Sequence, residues 1–205
     1  MNYLRGMNVY EAEIGSTYVD NNNSADVDEL RFRLSILNTR TRTSTVQLVI
    51  NRNLTDTSNE LLAQNVNGSV DSETSTADIF LDKTARLVYN KVLRAGRFIV
   101  DLHKTVTDYQ QLDQLDQVLK GAIINTVWNI QPTSELALMA QYTNTVFESV
   151  SREDEHYLYS LAYIYHARRH FTVGFDVISQ ERISSDSVNN YDDLRIMISF
   201  NYNTQ

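Results

Sequence analysis

The chain has 205 residues, a formal net charge of −8 and no cysteine, and 42% of its residues are hydrophobic. The length suits one domain with a sizeable core, or two small ones. The acidic balance leaves no basic stripe for phosphates and argues against a nucleic-acid partner, while the lack of cysteine excludes disulfides, thiolate metal sites and cysteine nucleophiles. No apolar run reaches about eighteen residues, which excludes a transmembrane helix.

The first half of the chain contains stretches in which apolar residues occupy every second position. Alternation begins in residues 8–18 and recurs in residues 30–36, 46–51 and 79–89, where Lys83 falls among the apolar set. Strict alternation is the period of a strand with one apolar face, and a helix cannot use it. A lysine in such a set is tolerated near a membrane interface, where its stem can snorkel.

The second half continues the pattern. Six further alternating runs occur, at residues 98–103, 122–130, 136–143, 157–165, 171–177 and 194–202. Two segments between strands are different. The run TDYQQLDQLDQVLKG has apolar residues at every third position and predicts a short amphipathic helix or a folded-back loop, and NELLAQNV predicts a turn of helix.

The connections between the ten predicted strands alternate in length. Short turns are predicted at residues 38–42, 93–96, 131–134 and 167–170, and long loops at about residues 19–28, 53–76, 107–118, 148–155 and 181–191. Up-and-down barrels of the outer membrane keep periplasmic turns short and extracellular loops long. The sequence therefore predicts an all-β fold over residues 1–205: an antiparallel up-and-down transmembrane β-barrel of about ten strands, or the C-terminal part of a larger barrel.

The barrel interpretation gives each strand face a role. Charged residues opposite the apolar set are predicted to line the lumen: Glu11, Glu13, Arg31, Arg33, Asp82, Arg86, Arg97, Asp101, His103, Glu135, Asp176 and Arg195. Residues of the other face are predicted to contact lipid or form interfacial girdles: Tyr10, Leu30, Phe32, Leu34, Ile36, Phe98, Trp128, Tyr142, Tyr157, Tyr165, Phe171, Phe175, Ile196, Ile198, Phe200 and Tyr202. In a ten-strand barrel side chains largely fill the interior, which favours salt-bridged filling, whereas further strands would make a wider pore.

Two stretches, NVYEAEIGSTYVD and DDLRIMISFNYN, together with short turns such as QPTS and NTRTR, resemble outer-membrane β-barrel porins of the second type. That family overlaps with the outer-membrane barrel proteins of PEP-CTERM and exopolysaccharide systems in Gram-negative bacteria. The resemblance covers most of the chain and is one of pattern. It implies an outer-membrane barrel, a role in polysaccharide or protein export, no catalytic residues, and a last strand whose aromatic end is read by the barrel-assembly machinery.

No residue pattern predicts an enzyme, a cofactor or a metal site. His166 and His170 bracket a turn, and neither a nucleophile elbow nor a phosphate-binding loop occurs. Asp192 and Asp193 are predicted to lie in a loop, where they could bind divalent cations or bridge lipopolysaccharide, although a solvated acidic loop is favoured.

The sequence thus predicts a protein of the bacterial outer membrane with a structural, pore or export role. Expected partners are outer-membrane lipid and lipopolysaccharide, the barrel-assembly machinery, and polysaccharide or small solutes. The N-terminal residues MNYLRGMNVYEAEIG lack the sections of a signal peptide, so a removed signal or a longer protein is expected. The alternative is a soluble up-and-down β-barrel or sandwich that binds a sugar or lipid, in which the apolar face would point into a core.

Overall fold

The computed structural model describes residues 7–19, 27–56, 79–110, 115–168 and 171–202. Its strands, numbered in chain order, are β1 (Met7–Val19), β2 (Val27–Thr41), β3 (Ser44–Asp56), β4 (Ile79–Leu93), β5 (Gly96–Tyr109), β6 (Gln117–Gln131), β7 (Ser134–Phe147), β8 (Arg152–Arg168), β9 (Phe171–Ser184) and β10 (Tyr191–Tyr202). One turn of 3-10 helix, Ser187–Asn189, precedes β10. Within the described ranges, no helix is both long enough and apolar enough to cross a membrane.

The ten strands form one antiparallel sheet in which every strand lies beside its neighbours in the sequence. Three of the turns, at residues 42–43, 94–95 and 132–133, are only two residues long, so each pair of strands that they join folds back on itself. In the described part of the chain, β1 pairs only with β2 and β10 only with β9. Among the described residues, the sheet therefore has two unpaired edges.

The pairing register sorts the side chains into two faces, because directly opposed residues lie on the same side of a sheet. On β1 and β2, Tyr10 opposes Ile36, whereas Glu13 opposes Arg33. We define the apolar face as the side that carries Tyr10 and Ile36, and the polar face as the side that carries Glu13 and Arg33. The same sorting continues to β10, apart from register shifts of one residue beside three of the turns.

Burial is the reverse of that in a soluble protein. Only three hydrophobic side chains are buried among the described residues: Leu54, Phe80 and Leu81. On the apolar face Ile14 is 76% exposed and Phe200 is 69% exposed, whereas Asp101 on the polar face is 5% exposed. No second layer covers the apolar face within the described residues, as the soluble alternative would require.

The strands extend further into the predicted loops than expected. Residues 53–56, 107–109 and 117–118 were assigned to long loops and belong to β3, β5 and β6. The stretch TDYQQLDQLDQVLKG was predicted to be a short amphipathic helix or a folded-back loop, but its two ends, Thr107–Tyr109 and Gln117–Gly121, are strand. A backbone ladder continues through polar residues as readily as apolar ones, so hydrophobic alternation marks only part of each strand. Residues 59–66, predicted as a turn of helix, lie outside the described residues.

The connection between β7 and β8 also differs from the prediction. A long loop was expected at residues 148–155, but only residues 148–151 separate the two strands. Ser151 has a φ of 49°, the left-handed conformation of a tight turn. Beyond it, the guanidinium of Arg152 lies 3.9 Å above the centre of the Phe147 ring. Charged residues that looked like loop are thus the start of β8, and the alternation of short and long connections is less strict than predicted.

Replacement by arginine at each of two adjacent residues of β3 tests which face of the sheet contacts lipid. Leu48 lies on the apolar face between Ile36 and Leu87, and Gln47 lies on the polar face between Leu37 and Val88. We expect Leu48→Arg to lower the free energy of unfolding in lipid vesicles by about 2–4 kcal/mol, because it places a charge in hydrocarbon. Gln47→Arg should cost less than about 1 kcal/mol, because its side chain meets water or polar groups. Urea unfolding of the vesicle-inserted protein measures both, and equal costs would contradict the two-face assignment.

Candidate functional site

The register places all twelve charged residues of the predicted lumen set on the polar face. It places all sixteen residues of the predicted lipid-facing set on the apolar face. These positions follow from period-two alternation combined with antiparallel pairing. The polar face is the candidate functional surface, because it holds the charged side chains in a defined arrangement.

The first charged cluster joins β4 to β5. Arg86 donates from Nε to Oδ2 of Asp101 at 2.7 Å, and its Nη2 donates to the same oxygen. The Nδ1 atom of His103, which opposes Arg86 in the register, lies 3.4 Å from the other carboxylate oxygen. The Asp101 side chain is 7% exposed and that of Arg86 is 55% exposed. The carboxylate is thus compensated in a buried position, while the guanidinium remains open to solvent.

A glycine on the next strand makes room for this cluster. Gly121 opposes His103, and a Cβ atom at Gly121 would lie 2.4 Å from Nε2 of the His103 ring. The imidazole therefore occupies the space above Gly121. Glycine in a strand interior often marks such a close approach.

A second charged cluster lies on the same polar face but nearer the other edge of the sheet, between β8 and β9. Arg182 donates to Oδ2 of Asp154 at 2.6 Å, Arg152 lies 3.2 Å from the same oxygen, and the Ser184 hydroxyl donates to the other oxygen. Asp154 is 6% exposed. The sequence interpretation missed this cluster because it assigned residues 148–155 to a loop. The signal available in the sequence was the dense run of charges that begins at Arg152.

The other contacts of the polar face are local. Glu13 pairs with Arg31 at 2.6 Å, Asp193 pairs with Arg195 at 2.5 Å, and Thr107 donates to Asp82 at 2.7 Å. Each joins residues of one strand or of adjacent strands, so these contacts run along the sheet. In the described ranges, six residues of the predicted lumen set form no ion pair: Glu11, Arg33, Asp82, Arg97, Glu135 and Asp176. These charges of both signs are available to solutes or water.

A shallow groove of about 340 Å³ lies on this face between β2 and β4. Its polar lining consists of Arg33, Gln47, Asn51, Thr84 and Arg86. The groove is also lined by Val49 and Val88, and Arg86 is paired with Asp101. The uncompensated guanidinium of Arg33 and the three neutral polar side chains can bind water or small anions.

The carboxylates and histidines that the structure describes are not grouped as metal ligands. In the described part of the chain, no group of three or more His, Cys, Asp or Glu side chains could hold a metal ion. Asp192 and Asp193 were predicted to lie together in a loop, but both belong to β10 and so point to opposite faces. His166 lies 3.0 Å from the Thr172 hydroxyl through Nδ1, and His170 lies outside the described residues.

The apolar face carries a pair of adjacent tyrosines at the position along the strands where its apolar side chains end and Glu155 begins the polar border. The Tyr142 and Tyr157 hydroxyls each donate to Glu155 at 3.0 Å, and their ring centres are 5.1 Å apart. Tyrosines with an apolar ring and a satisfied hydroxyl are typical of the interfacial girdles of membrane barrels.

No protein-family model matches the chain, and no curated protein matches it in sequence. Among solved structures, the chain is similar to OmpT (in-vitro folded), an outer membrane protein of Vibrio cholerae, with a TM-score of 0.57 and 9% sequence identity. The match covers 95% of this chain and 63% of that chain. The chain has the fold of an outer-membrane β-barrel. It spans about three fifths of the length of the barrel protein that it matches.

Because Asp101 is buried in an ion pair and Asp176 is not, we expect their substitution to affect the free energy of unfolding differently. Asp101→Asn removes the charge partner of Arg86, and we expect it to lower the free energy of unfolding by about 1–3 kcal/mol. Asp176→Asn on the same face removes a carboxylate without an ion pair among the described residues and should change stability by less than about 0.5 kcal/mol. Urea unfolding in detergent micelles compares them, and a larger loss for Asp176→Asn would contradict the cluster.

The glycine contact gives a second matched pair. Gly121→Ala pushes a methyl group against His103, so we expect a loss of about 1–3 kcal/mol in the free energy of unfolding. Gly15→Ala, where nothing lies within 4 Å of an added Cβ, should be neutral or slightly stabilising. Adding His103→Ala to Gly121→Ala should recover most of the loss, because the clash disappears. Equal effects of the two glycine substitutions would show that His103 does not occupy this space.

Proposed function

We propose that this chain forms part of the wall of a bacterial outer-membrane barrel and that its polar face lines a water-filled pore for small hydrophilic solutes. The observation that carries the proposal is the inversion of burial: large apolar side chains such as Ile14 and Phe200 are exposed on one face, while ion pairs occupy the other. Exposed apolar surface of this extent is stable only against lipid or another apolar surface. The likeness of fold to an outer membrane protein supports lipid as the surface that covers the apolar face.

The strand lengths fit a membrane. The shortest strand, β10, has 12 residues and the longest, β8, has 17. A tilted strand needs roughly 9–11 residues to cross the hydrocarbon layer. Each strand is therefore long enough to span it and to carry polar residues beyond it, as the charged first residues of β8 do.

The free edges of β1 and β10 bear on the size of the pore. Unpaired backbone N–H and C=O groups cost several kcal/mol each in hydrocarbon, so spanning sheets close into barrels. Closure requires either direct pairing of β1 with β10 or further strands between them. Further strands would make the interior wider than ten strands enclose. The proposed open pore, rather than a filled interior, requires that greater width.

The finer role rests on the sequence resemblance alone. The barrel porins and exopolysaccharide-associated barrels that the chain resembles imply passage of polysaccharide or of surface proteins in a Gram-negative bacterium. We propose sugars as the solute class, because Gln47, Asn51 and Thr84 on the polar face can exchange hydrogen bonds with hydroxyl groups. No covalent step is part of this proposal.

Conductance across a planar lipid bilayer tests the pore. We expect the detergent-extracted protein to show heat-modifiable gel migration and to form steady channels that soluble oligosaccharides block. Arg33→Gln, on the polar face, should increase the cation selectivity that the reversal potential in a salt gradient reports, because it removes a fixed positive charge from the wall. Lys91→Gln, on the apolar face, is the matched control and should leave the potential unchanged.

Two results would overturn the proposal at different levels. Folded protein that stays soluble in plain buffer would show that the apolar face does not contact lipid. A detergent-dependent, heat-modifiable protein that carries no current would retain the membrane barrel and exclude the pore.

A further inference from the structure

The apolar face carries four cations on adjacent strands. Arg52 on β3 directly opposes Lys83 on β4, and Lys104 on β5 directly opposes Lys120 on β6. Lys83 and Lys104 are diagonal neighbours, because Lys104 opposes Ala85. We call these four residues the basic cluster. Like charges directly opposite in a sheet destabilise it, and here two such pairs stand side by side.

The described carboxylates neutralise only half of this cluster. Arg52 pairs with Glu29 at 2.5 Å, and Lys83 pairs with Asp108 at 2.6 Å. Lys104 and Lys120 are both exposed, and neither forms an ion pair within the described ranges. The cluster therefore keeps two uncompensated positive charges that oppose each other across β5 and β6.

The basic cluster lies at one border of the hydrocarbon surface. Each of its residues is three to five positions from the strand end that adjoins a longer connection, and the two-residue turns lie at the other end. On β6, eleven residues follow Lys120 before the short turn, about the number that a tilted strand needs to cross the hydrocarbon layer. The cluster therefore sits at headgroup level on the side of the long loops, which is extracellular.

Two apolar grooves meet at the cluster. One, of about 440 Å³, is lined by Leu48, Leu87, Leu102 and Tyr142 together with Lys104 and Lys120. The other, of about 320 Å³, is lined by Phe32 and Ile50 together with Arg52, Lys83 and Lys104. Lys104 lines both grooves. Uncompensated ammonium groups beside hydrocarbon grooves match a ligand with anionic headgroups and acyl chains.

The sign of the charges changes along the same border. Lys120 opposes Asn144 on β7, Asn144 opposes Glu155 on β8, and Glu181 on β9 opposes Asp192 on β10. The basic half of the border thus lies on β3–β6 and the acidic half on β8–β10. An anionic headgroup is attracted to the first half and repelled from the second.

We propose that the basic cluster binds the phosphate groups of lipid A, the phosphorylated and acylated anchor of lipopolysaccharide, with Lys104 and Lys120 contacting phosphate and acyl chains lying in the two grooves. The site rests on the proposed function, since only a membrane barrel presents this face to lipid. Lipid A is the source to which the charge points, because it is the phosphate-bearing lipid of the extracellular leaflet. Phosphate relieves the repulsion within the Lys104–Lys120 pair, which water alone would leave in place.

The test compares lipid binding by the detergent-folded protein and by two variants. The probe is bisphosphorylated lipid A, with dephosphorylated lipid A and phosphatidylglycerol as the other arms. We expect Lys104→Gln combined with Lys120→Gln to weaken binding of lipid A by a factor of roughly 10 to 30, because each lysine near an anionic lipid surface contributes about a factor of 5 in affinity. Lys91→Gln, on the same face near a short turn, is the control and should bind like the parent.

Stability separates binding from folding. Without lipid, the double variant should unfold at the same temperature as the parent or higher, because like-charge repulsion is gone. Lipid A should raise the unfolding temperature of the parent more than that of the double variant. High salt should reduce that difference.

The outcomes distinguish the site from the proposed function. Equal affinity of parent and double variant, in a protein that requires detergent, overturns the site alone. Phosphatidylglycerol or dephosphorylated lipid A bound as tightly as bisphosphorylated lipid A overturns the assignment to lipid A phosphates. Folded protein that needs no detergent overturns both the site and the membrane barrel.

Discussion

The constraint on which this structure depends is that backbone polar groups in hydrocarbon must be paired inside the protein. Strands of 12 to 17 residues, each bonded along its length to its neighbours in sequence, satisfy that requirement for the eight inner strands. Within the described part of the chain, the two outer strands satisfy it on one side only. The shape of the complete wall is therefore determined by what pairs with β1 and β10, and the width of any pore follows from that pairing.

The same pairing divides the chemistry of the molecule. Because side chains alternate, a strand that bonds through its backbone can show hydrocarbon to one side and charge to the other. The buried carboxylates Asp101 and Asp154 each have arginine partners on the polar face, which allows burial of charge without an apolar core. Glu155, on the apolar face, is instead held by two tyrosine hydroxyls at 3.0 Å. Each carboxylate is thus stabilised by partners suited to its own face.

Much of this architecture was predictable from the sequence, for a definite reason. Period-two alternation is a local property, so the ten strands and the face of residues such as Arg33 and Phe200 can be assigned without knowing any contact. Strand ends could not be predicted in the same way, since β6 begins at Gln117 and β8 at Arg152, before the apolar alternation of either strand starts. The ion pairs were harder still. That Asp154 meets Arg182 depends on the register between β8 and β9, which no single strand contains.

Lys83 shows most clearly what register adds to sequence. In the sequence it is one cation that interrupts an apolar alternation, tolerable if its stem reaches an interface. In the sheet it opposes Arg52 and neighbours Lys104, which itself opposes Lys120. Independent snorkelling of each residue would place such cations anywhere along the border, yet they lie on four consecutive strands, while carboxylates such as Glu155 and Asp192 lie on β8 to β10. The electrostatic potential of the border therefore changes sign from its basic half to its acidic half. The repulsion between Lys104 and Lys120 is relieved only by an anion, and no described carboxylate pairs with either lysine.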